Sequence, residues 1–206
     1  MAARGATPSD EDLFRLLRAG DEAAFTTLYR RWQSPLYRYA LRMTGSTAFA
    51  EDVIQETFMA LIHGNVRYDP ARGSVPGYLY GIARNQVLRR LRRERPYVAL
   101  EEPLSARRGA ATASSDQDPL SDLTRRDELR RLREAIAALP EHYREALILC
   151  DLQSLSYEDA AQALGCALGT VRSRLHRGRE LLAQKLRHRA TAKSVGGALR
   201  LIGGES

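Results

Sequence analysis

Three groups of side chains in this sequence have the types and spacing to recognise other macromolecules. In "LGTVRSRLHRGRELL", residues 168–182, Thr170, Arg172, Ser173, Arg174, His176 and Arg177 crowd hydroxyls, an imidazole and guanidiniums into about two helical turns. Such groups hold phosphates and hydrogen-bond base edges in a duplex. In "YLYGIARNQVLRRLRR", residues 78–93, Tyr78, Asn85, Arg89 and Arg92 fall at i, i+7, i+11 and i+14, on one helical stripe. An aromatic for stacking, an amide for base edges and cations for phosphates suit single-stranded nucleic acid, although a core tyrosine beside a solvated basic face has the same pattern. The third group is acidic. Asp52, Gln55 and Glu56, with Met59, occupy i, i+3, i+4 and i+7 of "AEDVIQETFMAL", residues 50–61. On an otherwise basic chain this face is either plain solvated surface or a docking face for a basic partner.

The elements that must carry these groups are helical. Ala50, Val53, Ile54, Thr57, Phe58 and Leu61 form the opposite, inward face of the acidic helix. "SDEDLFRLLRAGDEAAF" predicts two further helices, capped at Ser9, with Asp12, and at Asp21. In the second of these, Ala24, Phe25, Leu28, Trp32, Leu36, Tyr39 and Met43 keep helical spacing across Pro35, a point of bending. "HGNVRYDPARGSVPG" reads as a loop, and a fourth helix closes the block near Arg95. Near the other end, a short helix capped by Ser156 and Asp159, a tight turn at Gly165 and a long helix from about Leu168 make a helix-turn-helix. Val171, Leu175, Gly178 and Leu182 are its inward stripe, which leaves the polar cluster for the major groove. No strand-like alternation of useful length occurs. The expected fold is all-α, with two small helical domains over 1–95 and 122–189. A flexible, acidic, Ser- and Ala-rich linker at 96–121 joins them with few contacts crossing it, and a loose tail occupies 190–206.

Composition narrows the chemistry. The formal charge is +7 and the pI about 9.8, which favours a polyanionic partner. Only Lys185 and Lys193 are lysines, so the basic residues are almost all arginine. Cys150 and Cys166 are too few for a disulfide framework, and with His63, His142, His176 and His188 they match no zinc-ligand spacing. No stretch has the length and apolarity of a membrane span, and the start lacks a secretory h-region; the expectation is a cytoplasmic protein without membrane insertion. Glu51, Asp52 and Glu56 raise the idea of a carboxylate metal site in a bundle, but the Glu-x-x-His pairs of such sites are missing. No nucleophile and base stand together, so neither enzyme, cofactor nor metal is expected. A conventional helix-turn-helix regulator, with the first block as a sensor, is the rival reading.

Taken in order, "AEDVIQETFMAL", "GYLYGIARNQVLRRLRR", a linker, and "LPEHYREALILCDLQSLSYEDAAQALGCALGTVRSRLHRGRELL" resemble a bacterial sigma factor of the extracytoplasmic-function group in the sigma-70 family, over roughly residues 10–187 without the linker. The resemblance implies a sigma-2 domain that binds core RNA polymerase and opens the minus-ten element, and a sigma-4 domain that reads the minus-thirty-five element. It implies that Asp52, Gln55 and Glu56 dock on the β′ clamp coiled coil and that Asn85 holds a flipped base of the non-template strand. Tyr68 then lies in the loop shaping that base's pocket, and Tyr78, Arg89 and Arg92 complete the minus-ten surface. In sigma-4, Arg172, Ser173, Arg174, His176 and Arg177 match positions that meet the minus-thirty-five duplex, with Thr170 placed for a phosphate at the helix start. The implied partners are core polymerase, through its β′ clamp and β flap, promoter DNA, and an anti-sigma factor. The sequence departs from the family where Tyr78 replaces the usual tryptophan and Arg89 a frequent aspartate.

Overall fold

The computed structural model describes residues 7–63, 68–98 and 119–202, and these contain helices and turns but no strand. The first block holds α1 (Asp10–Arg18), α2 (Glu22–Thr44), α3 (Thr47–Ile62), a 3-10 turn at Pro70–Arg72, and α4 (Val75–Val98). The second holds α5 (Pro119–Ala137), α6 (Glu141–Leu147), which runs on through a π-helical turn at Ile148–Leu152, α7 (Tyr157–Leu164) and α8 (Leu168–Ile202).

Local chemistry starts these helices where the sequence predicts. Ser9 Oγ accepts from the Asp12 amide at 3.1 Å, and Asp21 Oδ1 accepts from the Ala23 and Ala24 amides at 2.8 and 3.0 Å. These bonds occupy backbone donors that have no partner inside the helix. α2 continues through Pro35. Gly165 closes α7 with φ +61, a left-handed conformation that suits glycine and sets the sharp turn into α8. On α3 the six inward residues named above are all buried, Thr57 included because its hydroxyl donates to the Val53 carbonyl at 2.7 Å.

The core is continuous across both blocks. Leu28, Leu36 and Tyr39 of α2, Val53 and Phe58 of α3, and Leu79 and Val87 of α4 belong to the same buried cluster as Leu147, Ile148, Leu164, Val171 and Leu175 of the second block. The expectation of few contacts between the blocks is therefore not met, and the reason is a close approach of α7 to α4. Gly73, just before α4, and Gly77 and Gly81, in its first two turns, recur every fourth residue, and the Gln162 side chain and the α7 backbone lie directly over them. A Cβ at Gly77 would stand 3.0 Å from the Asp159 carbonyl oxygen and closer still to the Gln162 amide. Absence of side chains at these positions admits the neighbouring helix.

Several boundaries differ from expectation. α4 extends past Arg95 to Val98, and α5 begins at Pro119 inside the expected linker, of which 99–118 lies outside the described residues. α8 carries on to Ile202, through the stretch expected to be a loose tail, since paired glycines at 196 and 197 do not end it.

Candidate nucleic-acid interface

The acidic face of α3 is laid out as its periodicity requires, with one addition. Gln55 and Glu56 are exposed and Met59 is 43% exposed, whereas Asp52 is half-exposed and forms an ion pair with Arg90 of α4. Arg90 also lies 4.5 Å above the Phe49 ring, so its charge is held by both a carboxylate and a π face. Beside this face runs a groove of about 700 Å³ between α2 and α3, lined by Tyr29, Ile54, Gln55, Phe58, Met59 and Ile62 among others. Ile62 and Tyr29 are themselves exposed. Carboxylates along one margin and apolar side chains along the floor give a surface able to receive a helix with a basic edge.

On α4, Asn85, Arg89 and Arg92 are exposed on one side, as the stripe requires. Tyr78 is not free with them. Its ring packs edge-on to Phe14 with centroids 5.7 Å apart and tilts against Tyr68 at 5.4 Å, while Phe14 and Tyr68 meet at 5.1 Å. Tyr68 is only 8% exposed and donates its hydroxyl to the Gly73 carbonyl at 3.1 Å. The Tyr78 hydroxyl is buried without a hydrogen-bond partner among the described residues, and burial pushes its phenol up to about 12. These rings form one aromatic cluster under the start of α4.

In the helix-turn-helix, Val171 and Leu175 are buried and Gly178 lets α8 approach α6, where an added Cβ would stand 3.2 Å from the Tyr143 carbonyl oxygen. Arg172, Ser173, His176 and Arg177 are exposed on the opposite side. Arg174 is half-buried, its guanidinium 3.9 Å from the Cys166 sulfur in the turn. Thr170, in the first turn of α8, is also partly covered, and its carbonyl accepts from the Ser173 hydroxyl at 3.0 Å. Glu180 draws two members of the cluster together, meeting Arg177 at 2.8 Å and His176 at 3.3 Å. Arg179 is engaged elsewhere, in a bidentate pair with Asp151 at 2.6 and 3.0 Å. Cys150 is half-buried and burial pushes its thiol up to about 11, so it is neutral at ordinary pH.

The contact between the blocks adds a group the sequence reading missed. Arg84 of α4 grips Glu145 of α6, Nε to Oε1 at 2.9 Å and Nη2 to Oε2 at 3.2 Å, and the Glu145 side chain is 1% exposed. Nearby, Ser74 hydrogen-bonds Asp159, and the Tyr80 hydroxyl donates to Gln153 Oε1 at 3.2 Å. Burial raises the Glu145 carboxyl above the usual range against the opposing pull of Arg84. Among the described residues no group of His, Cys, Asp and Glu is arranged to hold a metal ion, and no helix is long and apolar enough to cross a membrane.

Two family models match the chain, Sigma-70 region 2 over residues 28–97 and Sigma-70, region 4 over residues 129–182. The chain is 36% identical to the ECF RNA polymerase sigma factor SigE of Mycolicibacterium smegmatis over 187 residues, covering 87% of this chain and 70% of that one. It is 32% identical to the RNA polymerase sigma factor CarQ of Myxococcus xanthus, covering 82% and 92%. Among solved structures it is similar to the sigma factor RpoE in complex with the anti-sigma factor NepR from Bartonella quintana, at TM-score 0.60 and 27% identity over 79% of this chain and 96% of that one. CnrH, solved with the cytosolic domain of CnrY, shares the fold at TM-score 0.64 and 23% identity, over 88% and 99%.

Proposed function

We propose, from the premise that this chain belongs to the extracytoplasmic-function group of the sigma-70 family and directs promoter-specific transcription initiation, a division of that task among three surfaces. α3 docks on core RNA polymerase through Gln55 and Glu56, with Asp52 at the margin, on a basic helical surface of the β′ clamp. The α4 stripe of Asn85, Arg89 and Arg92 takes the opened minus-ten strand, Asn85 holding a flipped base and the arginines its backbone. The exposed side of α8 reads the minus-thirty-five duplex through Arg172, Ser173, His176 and Arg177, with Arg174 and Thr170 at the edge of that contact. Tyr68 and Tyr78 act as a packed wall behind Asn85 rather than as free stacking rings. The second block reaches the β flap of polymerase. The protein works in the cytoplasm as an initiation factor, not as a catalyst of its own.

The observation that carries this reading is the simultaneous exposure of an amide-and-arginine stripe on α4 and of a polar cluster on the second helix of a helix-turn-helix. One chain then has a surface for single strand and a surface for duplex. As docked, the blocks cannot serve both elements at once. A minus-ten to minus-thirty-five separation spans roughly 85 Å of duplex at about 3.4 Å per base pair. A compact chain of this length has a radius of gyration of about 17 Å. The structure is therefore a closed form that opens on polymerase. That RpoE was solved with an anti-sigma factor supports an anti-sigma partner here too. Transcription in vitro with core polymerase over a promoter library tests the whole proposal. Runoff products that depend on both chain and core support it; duplex binding at the same promoters without core would favour the simple regulator instead.

A further inference from the structure

The contact between α4 and the second block is unusual in its chemistry. It includes a bidentate ion pair at Arg84 and Glu145 whose carboxylate is almost wholly buried, and polar atoms that find no partner among the described residues: Tyr39 Oη, Gln153 Nε2 and Gln162 Oε1. A buried ion pair gains little net stability, because two charges lose their hydration to form it, and each unmet polar atom costs more. Returning all of these groups to water is correspondingly cheap. These groups lower the cost of separating the blocks, which also exposes the apolar residues that the two blocks share.

Release changes the surface of α4. Arg84 adjoins Asn85 in sequence and lies about 100° from it around the helix, on the face that the second block covers. Once Glu145 departs, a desolvated guanidinium becomes an exposed one beside Asn85, Arg89 and Arg92, and its five donors match a phosphate as well as they matched a carboxylate.

We propose that Arg84 is a further nucleic-acid-binding residue, which grips a strand phosphate next to Asn85 in the open protein and is kept from DNA by Glu145 in the closed one. Carboxylate and phosphate compete for one guanidinium, so docking of the two blocks and binding of the single strand exclude each other. Strand binding thereby helps keep the protein open. The inference rests on α4 being the strand-facing helix.

The test uses the full chain and a fluorescein-labelled single-stranded oligodeoxythymidine, with anisotropy followed over a series of salt concentrations. Two substitutions open the contact by independent means: Gly77→Leu by crowding α7, without touching either charge, and Glu145→Gln by weakening the ion pair. Small-angle scattering should show a larger radius of gyration for at least one of them. That opened variant should bind the strand severalfold tighter than the parent, with a log–log salt slope steeper by about 0.7, the value for one added phosphate contact on single strands. Adding Arg84→Ala should remove both the tightening and the added slope while the radius stays large. If the opened variant binds tighter and keeps its gain and slope with Arg84→Ala, the Arg84 assignment fails while α4 remains strand-facing. If it opens but binds no tighter, the Arg84 assignment fails; the strand-facing reading of α4 fails with it only if the parent's own strand binding is unchanged by Arg89→Ala with Arg92→Ala, two residues already exposed in the closed form. An unchanged radius in both variants overturns the release step.

Discussion

Arg84 and Glu145, separated by 61 positions in the chain, form a two-point ion pair that joins α4, the helix carrying the Asn85 stripe, to α6 of the second block. Removing one partner leaves the other without compensation. For a carboxylate forced to stay buried the cost is about 3–5 kcal/mol. Arg84→Ala should instead undock the blocks, since separation rehydrates Glu145, and calorimetry should resolve two transitions where the parent shows one. The double change Arg84→Met with Glu145→Leu should keep a single transition. Equal behaviour of the two variants would mean that the pair is incidental to docking.

The aromatic cluster makes a prediction in alkali. Burial raises the Tyr78 phenol to about 12, so the folded state prefers the neutral form. Its share of stability is complete below the ordinary tyrosine range near 10 and is lost as pH climbs toward 12. Tyr78→Phe should change stability at neutral pH by no more than about 1 kcal/mol, because the hydroxyl has no partner to lose. It should also reduce the alkaline loss. Tyr39 and Tyr80, raised by burial in the same way, retain the remainder. Urea titrations across that pH range decide it.

On α3, Glu56 is the cleaner probe of polymerase docking, because Asp52 already serves Arg90. Glu56→Lys should weaken capture of core polymerase severalfold and leave thermal unfolding unchanged. Asp52→Lys should weaken capture too, with a loss of stability on the order of 0.2–1 kcal/mol from the exposed pair. Undiminished capture by both variants would remove α3 from the polymerase contact.

Glu180 sits between Arg177 and His176 of the duplex-facing cluster. Glu180→Gln should free Arg177 and His176 and deepen the salt dependence of minus-thirty-five duplex binding, measured with holoenzyme. An unchanged dependence would place that side of α8 away from DNA.

Much of this arrangement is legible in the sequence because it depends on local periodicity. The two faces of α3, the caps at Ser9, Asp21 and Ser156, and the inward stripe of Val171, Leu175 and Gly178 each follow from residue spacing within one or two elements. The docking of the blocks depends on pairs far apart in sequence, and spacing within one element cannot reveal those. Two signals were nonetheless present. Gly77 and Gly81, four apart, mark a helix face able to admit a neighbour, although Gly77 reads as a loop residue. Glu145 stands in the apolar run "EALILC", where a carboxylate needs a cation from elsewhere. Tyr78 matched the stripe by spacing, but a ring at a helix start is placed by what packs beneath it, here Phe14 and Tyr68.

The separation of strand reading on α4 from duplex reading on α8 is tested most directly on one promoter with holoenzyme, by footprinting for closed binding and permanganate reactivity for opening. Asn85→Ala should leave the footprint of the closed complex intact and reduce permanganate reactivity at the minus-ten element, since its partner is a base already out of the stack. Arg177→Ala and Arg174→Ala should weaken the closed footprint itself, by about 1–3 kcal/mol for a lost bidentate base contact. Loss of the same step to the same extent in Asn85→Ala and Arg177→Ala would show that the two helices do not divide the promoter between them.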